Sequence, residues 1–480
     1  MSPQPAGGIP VDLFLRADPL LGLGTSAADR AAAPHLLWAL PLLLAALVAG
    51  RFFCGWLCPL GTTLDLLGPG EAKPASPRKG LERLRAYKYV LLAAATASVL
   101  LGSSVLLLLD PLSLLTRTLA TSLYPLLNLA ITAVQFSAYG AGILPDLWLW
   151  LDASWRGTVL PYFQPYYAMS PLFLGLLALV VAANRLAPRF WCRYLCPLGA
   201  LFALLGRRAL VRRGLDPACN ECGYCARRCS MGAIDPTTLA ADPAECILCL
   251  RCRDACPRDA VRYGPTRPAF RYDPSRRQML LGLAGGALAV GSLRVGASAA
   301  SQHPLLVRPP GAAADFLSRC VRCGECLKVC PTSGLQPALL ESGLEGLWSP
   351  ILVSRLGFCD YSCNACGHVC PTGAIAPLAL AEKRRQVIGV AYLDEGRCLP
   401  YADLTPCIVC EEMCPLPEKA IVLEEVVAVW PNGETVDLKR PRVLRDKCIG
   451  CGICEYYCPL PNESAIRVRA SGPLAERARR

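Results

Sequence analysis

Long apolar runs divide the chain into a part suited to lipid and a part suited to water. Three runs have about the length that an α-helix needs to cross a bilayer. They are His35–Phe53, Tyr89–Leu109 and Tyr167–Leu186. A fourth apolar stretch, Leu119–Gln135, contains Pro125 and Asn128, so we interpret it as an interfacial or packed helix. The pattern predicts an α-helical membrane domain with three spans.

The charges between these runs predict an orientation. The loop between the first two runs is rich in lysine and arginine, whereas residues 110–166 contain only two basic residues, Arg117 and Arg156. Arginine becomes frequent again between Arg189 and Arg277. By the positive-inside rule, residues 54–86 and 188–277 lie in the cytoplasm, and residues 1–34 and 300–480 lie outside it. The net charge of +12 is largely this topology signal. The arginines lack interleaved aromatic residues, so we expect no nucleic-acid partner.

The chain contains 28 cysteines, and most of them fall into six groups of four. The groups are Cys219, Cys222, Cys225 and Cys229; Cys246, Cys249, Cys252 and Cys256; Cys320, Cys323, Cys326 and Cys330; Cys359, Cys363, Cys366 and Cys370; Cys398, Cys407, Cys410 and Cys414; and Cys448, Cys451, Cys454 and Cys458. Most follow or approach the C-x2-C-x2-C-x3-C spacing of iron–sulfur ligands, and proline follows each of the last four groups. Structural zinc and a disulfide framework explain this spacing less well. The sequence therefore predicts six [4Fe-4S] clusters.

These runs resemble those of bacterial two-cluster ferredoxins, in which the fourth cysteine binds the partner cluster. The resemblance implies that Cys229 completes the cluster of the second group and Cys256 that of the first. For the last four groups, a likeness to interleaved two-cluster units implies a nested pairing. In that pairing the fourth ligands of successive groups are Cys458, Cys414, Cys370 and Cys330.

The remaining four cysteines form two pairs, Cys54/Cys58 and Cys192/Cys196. Each pair lies in a motif R-F-x-C-x3-C-P-L-G that follows an inward-running span, so the near-duplication indicates an internal repeat at the cytoplasmic membrane face. The C-x3-C spacing places two thiols on one side of a helical turn. Together the pairs are able to supply four thiolates to one further centre or to act as a dithiol relay. The alternative is that they are inert buried cysteines.

Arg276 and Arg277 precede an apolar stretch that ends near the small residues Ala297, Ser298 and Ala299. This arrangement resembles a twin-arginine export signal, which directs folded proteins to the twin-arginine translocase. The alternative is a chance arginine pair before an ordinary anchor helix. Either interpretation takes the chain outward, and whether the segment is cleaved stays open.

The sequence thus predicts an α-helical membrane domain joined to ferredoxin-like α+β iron–sulfur modules, one with two clusters in the cytoplasm and one with four in the periplasm. The predicted segments are an outer segment (1–34), a membrane domain (35–210), a two-cluster ferredoxin domain (211–268), a signal or anchor helix (269–300) and a four-cluster domain (301–480).

Residues 35–260 resemble NapH, the membrane subunit of a quinol dehydrogenase that serves periplasmic nitrate reductase, through the paired R-x-x-C-x3-C-P-L motifs and Asp110-Pro111. Residues 275–480 resemble NapG, its exported four-cluster partner, through Val307–Gly311 and the first cysteine group. The resemblance implies a bacterial cytoplasmic membrane protein that takes electrons from the quinone pool and passes them to a periplasmic reductase or its cytochrome c subunit. The chain departs from these relatives by lacking an additional early span, by Ser230 in place of proline, and by lacking the flavin region of NosR-type proteins.

We therefore expect a quinol-oxidising electron-transfer protein that serves a nitrate reductase-like or nitrous oxide reductase-like acceptor. The catalytic candidates are Cys54, Cys58, Cys192, Cys196 and Asp110. Asp110 is a candidate proton acceptor, and the alternative is that Asp110-Pro111 only ends a helix. The alternative function is a maturation or metal-reduction factor of the CcoG or NosR type. Haem is not expected, because the chain has three histidines and no C-x-x-C-H motif.

Overall fold

The computed structural model describes residues 12–30, 36–68, 81–142, 144–156, 159–265, 279–288, 291, 306–313, 315–430, 433 and 435–470. The twin-arginine pair, the small residues 297–299 and most of the basic loop after the first apolar run lie outside these residues. The expectations attached to them therefore stay predictions.

The N-terminal half is built from helices around one apolar core. They are α1 (Leu13–Arg16), α2 (Pro19–Asp29), α3 (Leu36–Ala49), α4 (Phe52–Trp56), α5 (Pro59–Leu66), α6 (Tyr87–Leu100), α7 (Pro111–Thr118), α8 (Tyr124–Gly140), α9 (Pro145–Trp155), α10 (Ser170–Ala182), α11 (Phe190–Tyr194) and α12 (Pro197–Gly206). Short 3₁₀ segments at Leu81–Ala86, Val105–Leu109 and Ala183–Arg185 join them. The core places the four C-x3-C cysteines beside Leu60, Leu198 and Phe202.

The helix lengths differ from the prediction of three spans. Among the described residues, only Pro111–Gly140, with 30 residues, is long and apolar enough to cross a membrane. The helices in the three predicted spans, α3, α6 and α10, have 14, 14 and 13 residues. The stretch Leu119–Gln135, which we interpret as an interfacial or packed helix, lies within this long helix, and its position relative to a membrane stays a prediction.

The polar residues that argued against this long helix are accommodated inside it. A π-helical turn, Leu119–Leu123, precedes Pro125, so the proline lies at the first turn of α8, where its missing N–H is tolerated. The Asn128 amide donates to Gln164 Oε1 at 2.8 Å. Tyr124 donates to the Val159 carbonyl at 3.1 Å, so the chain after α9 returns to the start of α8. The long helix and α9 thus form a helical hairpin.

The predicted internal repeat is present in the geometry. Helices α4 and α11 each have five residues and carry the first cysteine of a pair. Cys58 and Cys196 then adopt nearly the same extended conformation, with ψ of 113° and 111°, and proline begins α5 and α12. Two copies of one helix–turn–helix unit therefore bring the two C-x3-C motifs into the same core.

Two ferredoxin-like parts follow. In the first, β1 (Val211–Leu215) pairs antiparallel with β2 (Val261–Pro265), and the short helices α13 (Tyr224–Arg227) and α14 (Arg251–Asp254) lie between them. Helix α15 (Met279–Leu288) comes next. Its Gly282 and Gly286 lie against Val90 and Ala94 of α6, where an added Cβ at either glycine would meet backbone at 3.0 Å or less.

The C-terminal part consists of short helices and two-stranded sheets. The helices are α16 (Phe316–Arg319), α17 (Glu325–Lys328), α18 (Ala365–His368), α19 (Leu380–Lys383), α20 (Leu399–Ala402), α21 (Val409–Glu412) and α22 (Ile453–Tyr456). Antiparallel pairs join β3 (Leu335–Pro337) to β4 (Pro350–Leu352), β5 (Gly389–Leu393) to β8 (Ile466–Ala470), and β6 (Ile421–Val429) to β7 (Thr435–Val443).

Candidate electron-transfer sites

The last four cysteine groups form two adjacent units. In the first unit one cavity is lined by Cys320, Cys323, Cys326 and Cys370. A second cavity is lined by Cys330, Cys359, Cys363 and Cys366. Each set takes its fourth cysteine from the neighbouring group.

The second unit repeats this exchange. Cys398 and Cys410 interact electrostatically with Cys407 and Cys458, and Cys448 and Cys451 do so with Cys414. The nested pairing, which assigned Cys458, Cys414, Cys370 and Cys330 to successive groups, is therefore wrong. Exchange between adjacent groups closes shorter loops, which loses less chain entropy, and the β5–β8 pair holds the last two groups together.

The first ferredoxin-like part shows the predicted exchange at one of its two sites. Cys229 lines a cavity with Cys246, Cys249 and Cys252. Cys219, Cys225 and Cys256 pack into a neighbouring apolar cluster, while Cys222 is exposed.

The thiol sets have an arrangement that suits iron–sulfur clusters. In the described part of the chain, no three His, Cys, Asp or Glu side chains converge closely enough to hold one metal ion. The cavity-lining thiols instead surround a space, as a four-iron cube requires. Backbone N–H groups donate to the sulfur of the fourth cysteine in three groups: Ala233 to Cys229 (3.3 Å), Ala260 to Cys256 (3.3 Å) and Ile375 to Cys370 (3.4 Å). Such hydrogen bonds help to set cluster potentials.

Burial raises the pKa of several of these thiols, including those of Cys246, Cys366, Cys410 and Cys451, to about 12. Without a cluster these thiols keep their protons at neutral pH. A cluster binds thiolates, so its assembly releases protons and is favoured as pH rises.

The four C-x3-C cysteines meet in the middle of the helical core. All are buried, with exposures of 3–7%. The thiol of Cys196 interacts electrostatically with those of Cys192, Cys54 and Cys58. The structure therefore brings together the two pairs that the repeat predicts, in one thiol cluster that we call the C-x3-C centre.

Two arginines stabilise this centre, because each donates a hydrogen bond to a cysteine carbonyl of the other repeat. Arg51 donates to the Cys192 carbonyl at 3.1 Å, and Arg189 donates to the Cys54 carbonyl at 2.7 Å. Gly61 and Gly199 leave room for the guanidinium groups, since an added Cβ would lie 3.5 Å from Arg189 and 2.7 Å from Arg51. In the charge pattern of the sequence, Arg189 counts only as part of the topology signal and Arg51 has no role, although each motif begins with one of these arginines.

A buried ionic triad connects the centre to the ferredoxin-like part. Glu245, next to the ligand candidate Cys246, binds Arg51 at 2.9 Å and also pairs with Lys88. All three side chains are at most 2% exposed. Gly55 packs against the Ile247 carbonyl, and the Trp56 indole donates to the Leu248 carbonyl at 3.0 Å. The Glu245 side chain before Cys246 and the Ile247–Leu248 backbone after it are thus fixed to the first C-x3-C motif.

The C-terminal part contacts the opposite end of the helical core. Ser104 donates to the Cys320 carbonyl at 3.0 Å, and Arg117 donates to the Arg322 carbonyl at 3.1 Å. Tyr167 donates to the Leu327 carbonyl at 2.8 Å. Cys323 belongs to the same apolar cluster as the four C-x3-C cysteines. The first C-terminal thiol set therefore lies against the helical core.

Asp110 marks a helix boundary. It is the N-cap of α7, where its Oδ2 accepts hydrogen bonds from the Leu112 and Ser113 N–H groups at 2.9 Å each. Its side chain is fully buried. The capping geometry therefore begins a helix, where the sequence alone suggested a possible helix end.

A cavity of about 360 Å³ lies beside the ferredoxin-like part. It runs from Ala49 and Gly50 at the end of α3 to Cys246, with Arg212 and Arg213 on β1 along one wall. Its volume is in the range of small-molecule sites, and it adjoins a ligand candidate.

Three family models match the chain. A 4Fe-4S binding domain matches residues 32–76, 168–216 and 366–385, and its first two segments cover the C-x3-C motifs. A 4Fe-4S dicluster domain matches residues 245–335, and a further 4Fe-4S binding domain matches residues 441–460. Several 4Fe-4S ferredoxin domains are therefore present.

The chain is similar to several curated proteins. It is 38% identical to the methylamine utilization ferredoxin-type protein MauM of Methylorubrum extorquens over 209 residues, which are 41% of this chain and 89% of that protein. It is 37% identical to the ferredoxin-type protein NapG of Escherichia coli over 35% of this chain and 73% of that protein. Protein NirI of Paracoccus denitrificans is 31% identical over 45% of this chain and 26% of its own length. No solved structure matches. Through the segment that matches MauM and NapG, the chain belongs to the family of ferredoxin-type iron–sulfur electron-transfer proteins that includes these two proteins.

Proposed function

We propose that the protein is a membrane-bound quinol dehydrogenase that carries electrons across the bilayer to a periplasmic reductase. The observation that carries the proposal is the position of the C-x3-C centre. It lies in one apolar core with Cys246 and Cys249 toward one ferredoxin-like part and with Cys323 toward the other. Thiol sites that share one apolar core would offer electrons a route between the two parts.

We infer that residues 35–260 are a NapH-like membrane part fused to the NapG-like part, and the paired C-x3-C-P-L-G motifs support this inference. Fusion places donor and acceptor clusters on one chain, so no separate docking step is needed between them. The terminal acceptor would be a nitrate reductase-like or nitrous oxide reductase-like enzyme, or its cytochrome c subunit.

The cavity at Cys246 is our candidate for the quinol site. The end of α3 gives an apolar substrate an approach from the bilayer, and Cys246 places the oxidised ring beside a cluster. Arg213 is 8% exposed and donates to the Leu239 carbonyl at 2.7 Å, which fixes a cationic side chain at the wall. A quinol bound there would give its electrons to the adjoining cluster.

The direct test uses membranes that contain the full chain. A quinol analogue should reduce the clusters, and addition of candidate periplasmic acceptors should reoxidise them. Clusters that respond to dithionite but not to any quinol analogue would contradict the proposal.

We predict that the purified chain carries six [4Fe-4S] clusters, which corresponds to about 24 iron and 24 acid-labile sulfide per chain. More iron and sulfide than this would indicate that the C-x3-C centre holds a cluster of its own. Metal and sulfide analysis measures both, and zinc as the main metal would contradict the prediction.

We predict that changing Arg276 and Arg277 to lysine strands the C-terminal domain in the cytoplasm. A cluster-bearing domain folds before export, and the arginine pair addresses the route for folded proteins. In spheroplasts, external protease should digest this domain in the wild type and spare it in the variant. Equal digestion in both would mean that the arginine pair only flanks an anchor helix.

The close packing of α15 against α6 supports an anchor helix that is not cleaved from the protein, because close glycine contacts are typical of paired membrane helices.

A further inference from the structure

Two buried aspartates, Asp18 and Asp110, interact with each other in the helical core, and Asp110 also interacts electrostatically with Cys58 and Arg117. Asp18 and Asp110 are both completely buried. Each is the N-cap of a helix that begins with proline, α2 and α7. Their carboxyl groups lie within hydrogen-bonding range of each other.

Only one oxygen of each carboxyl is used in capping. Asp18 Oδ1 accepts from the Leu20 and Leu21 N–H groups at 2.7 and 3.2 Å, and Asp110 Oδ2 accepts from two N–H groups in the same way. Within the described residues, Asp18 Oδ2 and Asp110 Oδ1 have no hydrogen-bond donor. The hydroxyl of Ser113 lies beside Asp110 and interacts with its carboxyl group.

Two ionised carboxylates are acceptors only and repel each other, so this contact is unfavourable in the fully ionised state. One proton between the two free oxygens turns it into a hydrogen bond with one negative charge. Each of the two free carboxyl oxygens then has the other as its hydrogen-bond partner.

The charged and titratable groups on the surrounding elements come from α7, the start of α5, α1 and α16. They are Arg117, Cys58, Asp12, Arg16 and Arg319. Asp12 and Arg16 form an ion pair at 2.7 Å, and Arg319 is paired with Asp315 at 2.9 Å. Arg117 has no carboxylate partner among the described residues, and it interacts electrostatically with both Asp110 and Cys323.

We propose that Asp18 and Asp110 form a redox-linked proton site that takes up a second proton when the cluster held by Cys320, Cys323, Cys326 and Cys370 is reduced. With a cluster bound by these cysteines, the carboxyl pair would take up one proton from water when a reductant adds one electron there, and it would release the proton when the electron leaves. Arg117, between the carboxyl pair and the cluster, transmits the charge. The proposal rests on the proposed function only in requiring that the cluster is bound.

Potentiometric titration of the full chain, with dithionite as reductant and the cluster followed by its paramagnetic resonance signal, tests this. Reduction that takes up a proton becomes harder as pH rises. The midpoint reduction potential of this cluster in the wild type should therefore fall by up to about 59 mV per pH unit if one proton accompanies each electron. Asp18→Asn and Asp110→Asn should flatten this slope, because an amide does not exchange the proton.

The variants separate the proton site from helix capping. Asparagine caps a helix as well as aspartate does, so a purely structural pair would leave the slope unchanged in both. Asp18→Ser keeps a cap of equal quality and serves if an asparagine variant does not fold. Asp12→Asn removes a nearby buried carboxylate outside the pair and should retain the wild-type slope.

A flat profile in the wild type, or an unchanged slope in the Asp18 and Asp110 variants, would overturn the proposal. The reductant is dithionite, so this outcome does not depend on quinol. Failure of quinol to reduce the clusters would overturn the proposed function and leave the proton site standing.

Discussion

Replacing Glu245 by alanine is expected to destabilise the protein by about 3–5 kcal/mol, the cost typical of breaking a buried ion pair from one side. Glu245 is the only acidic partner of Arg51 and Lys88 among the ion pairs of the described residues. Both cations are fully buried, so its loss leaves two uncompensated charges in the core. Thermal or denaturant unfolding in detergent, followed by loss of cluster absorbance, measures the effect.

Glu425→Ala is the matched control. Its side chain is 82% exposed and pairs with Lys439 at 3.5 Å on the β6–β7 hairpin. Removing an exposed partner changes stability by less than about 1 kcal/mol. Equal effects of the two substitutions would contradict the buried triad as the link between the ferredoxin-like part and the helical core.

The spacing of the cysteines was sufficient to predict the 4Fe-4S domains, because ligand order along the chain is part of the motif. The cysteine spacing does not indicate which group's cluster each fourth cysteine binds. That choice depends on which groups the strands bring together, and the β5–β8 pair joins residues that are more than 70 positions apart. The rule that the fourth cysteine of one group binds the cluster of another group applies to this chain, whereas the nested choice of partner groups does not.

The arginines show a second limit of sequence reasoning. An excess of arginine near apolar runs predicts orientation, yet Arg51 and Arg189 serve the core by binding backbone carbonyls of the opposite repeat. Their position at the start of both duplicated motifs was the available signal. Asp18 had a similar signal, since Asp18-Pro19 repeats the dipeptide Asp110-Pro111. Neither pattern states which residues meet in space.

The length of the long helix was also missed for a physical reason. Proline and asparagine inside an apolar stretch usually oppose a continuous helix. Here a π-turn accommodates Pro125, and Asn128 accepts from Arg156 at 3.2 Å as well as donating to Gln164. These partners come from the return segment of the hairpin, which the apolar pattern of Leu119–Gln135 does not include.

The largest functional effect is expected from Cys58→Ser combined with Cys196→Ser. The two substitutions remove one thiol from each repeat, so neither a shared four-thiolate centre nor a dithiol relay survives. A quinol analogue should still reduce the clusters of the first ferredoxin-like part, while reduction of the C-terminal clusters should be abolished. Rapid-freeze paramagnetic resonance after mixing with the analogue distinguishes the two sets.

Serine is a conservative replacement at both positions, because a hydroxyl accepts the hydrogen bonds that the thiols accept now. Gly199 N–H donates to Cys196 Sγ at 3.1 Å, and Gly61 N–H donates to the Cys58 thiol. The arginine contacts to Cys54 and Cys192 use backbone carbonyls and are retained. Dithionite should therefore reduce every cluster in the variant as in the wild type, which shows that the C-terminal clusters are assembled. Normal reduction of these clusters by the quinol analogue would mean that the four thiols are inert packing residues and that electrons reach Cys323 by another route. Because the centre touches both ferredoxin-like parts through one core, we expect the loss to be confined to transfer between them.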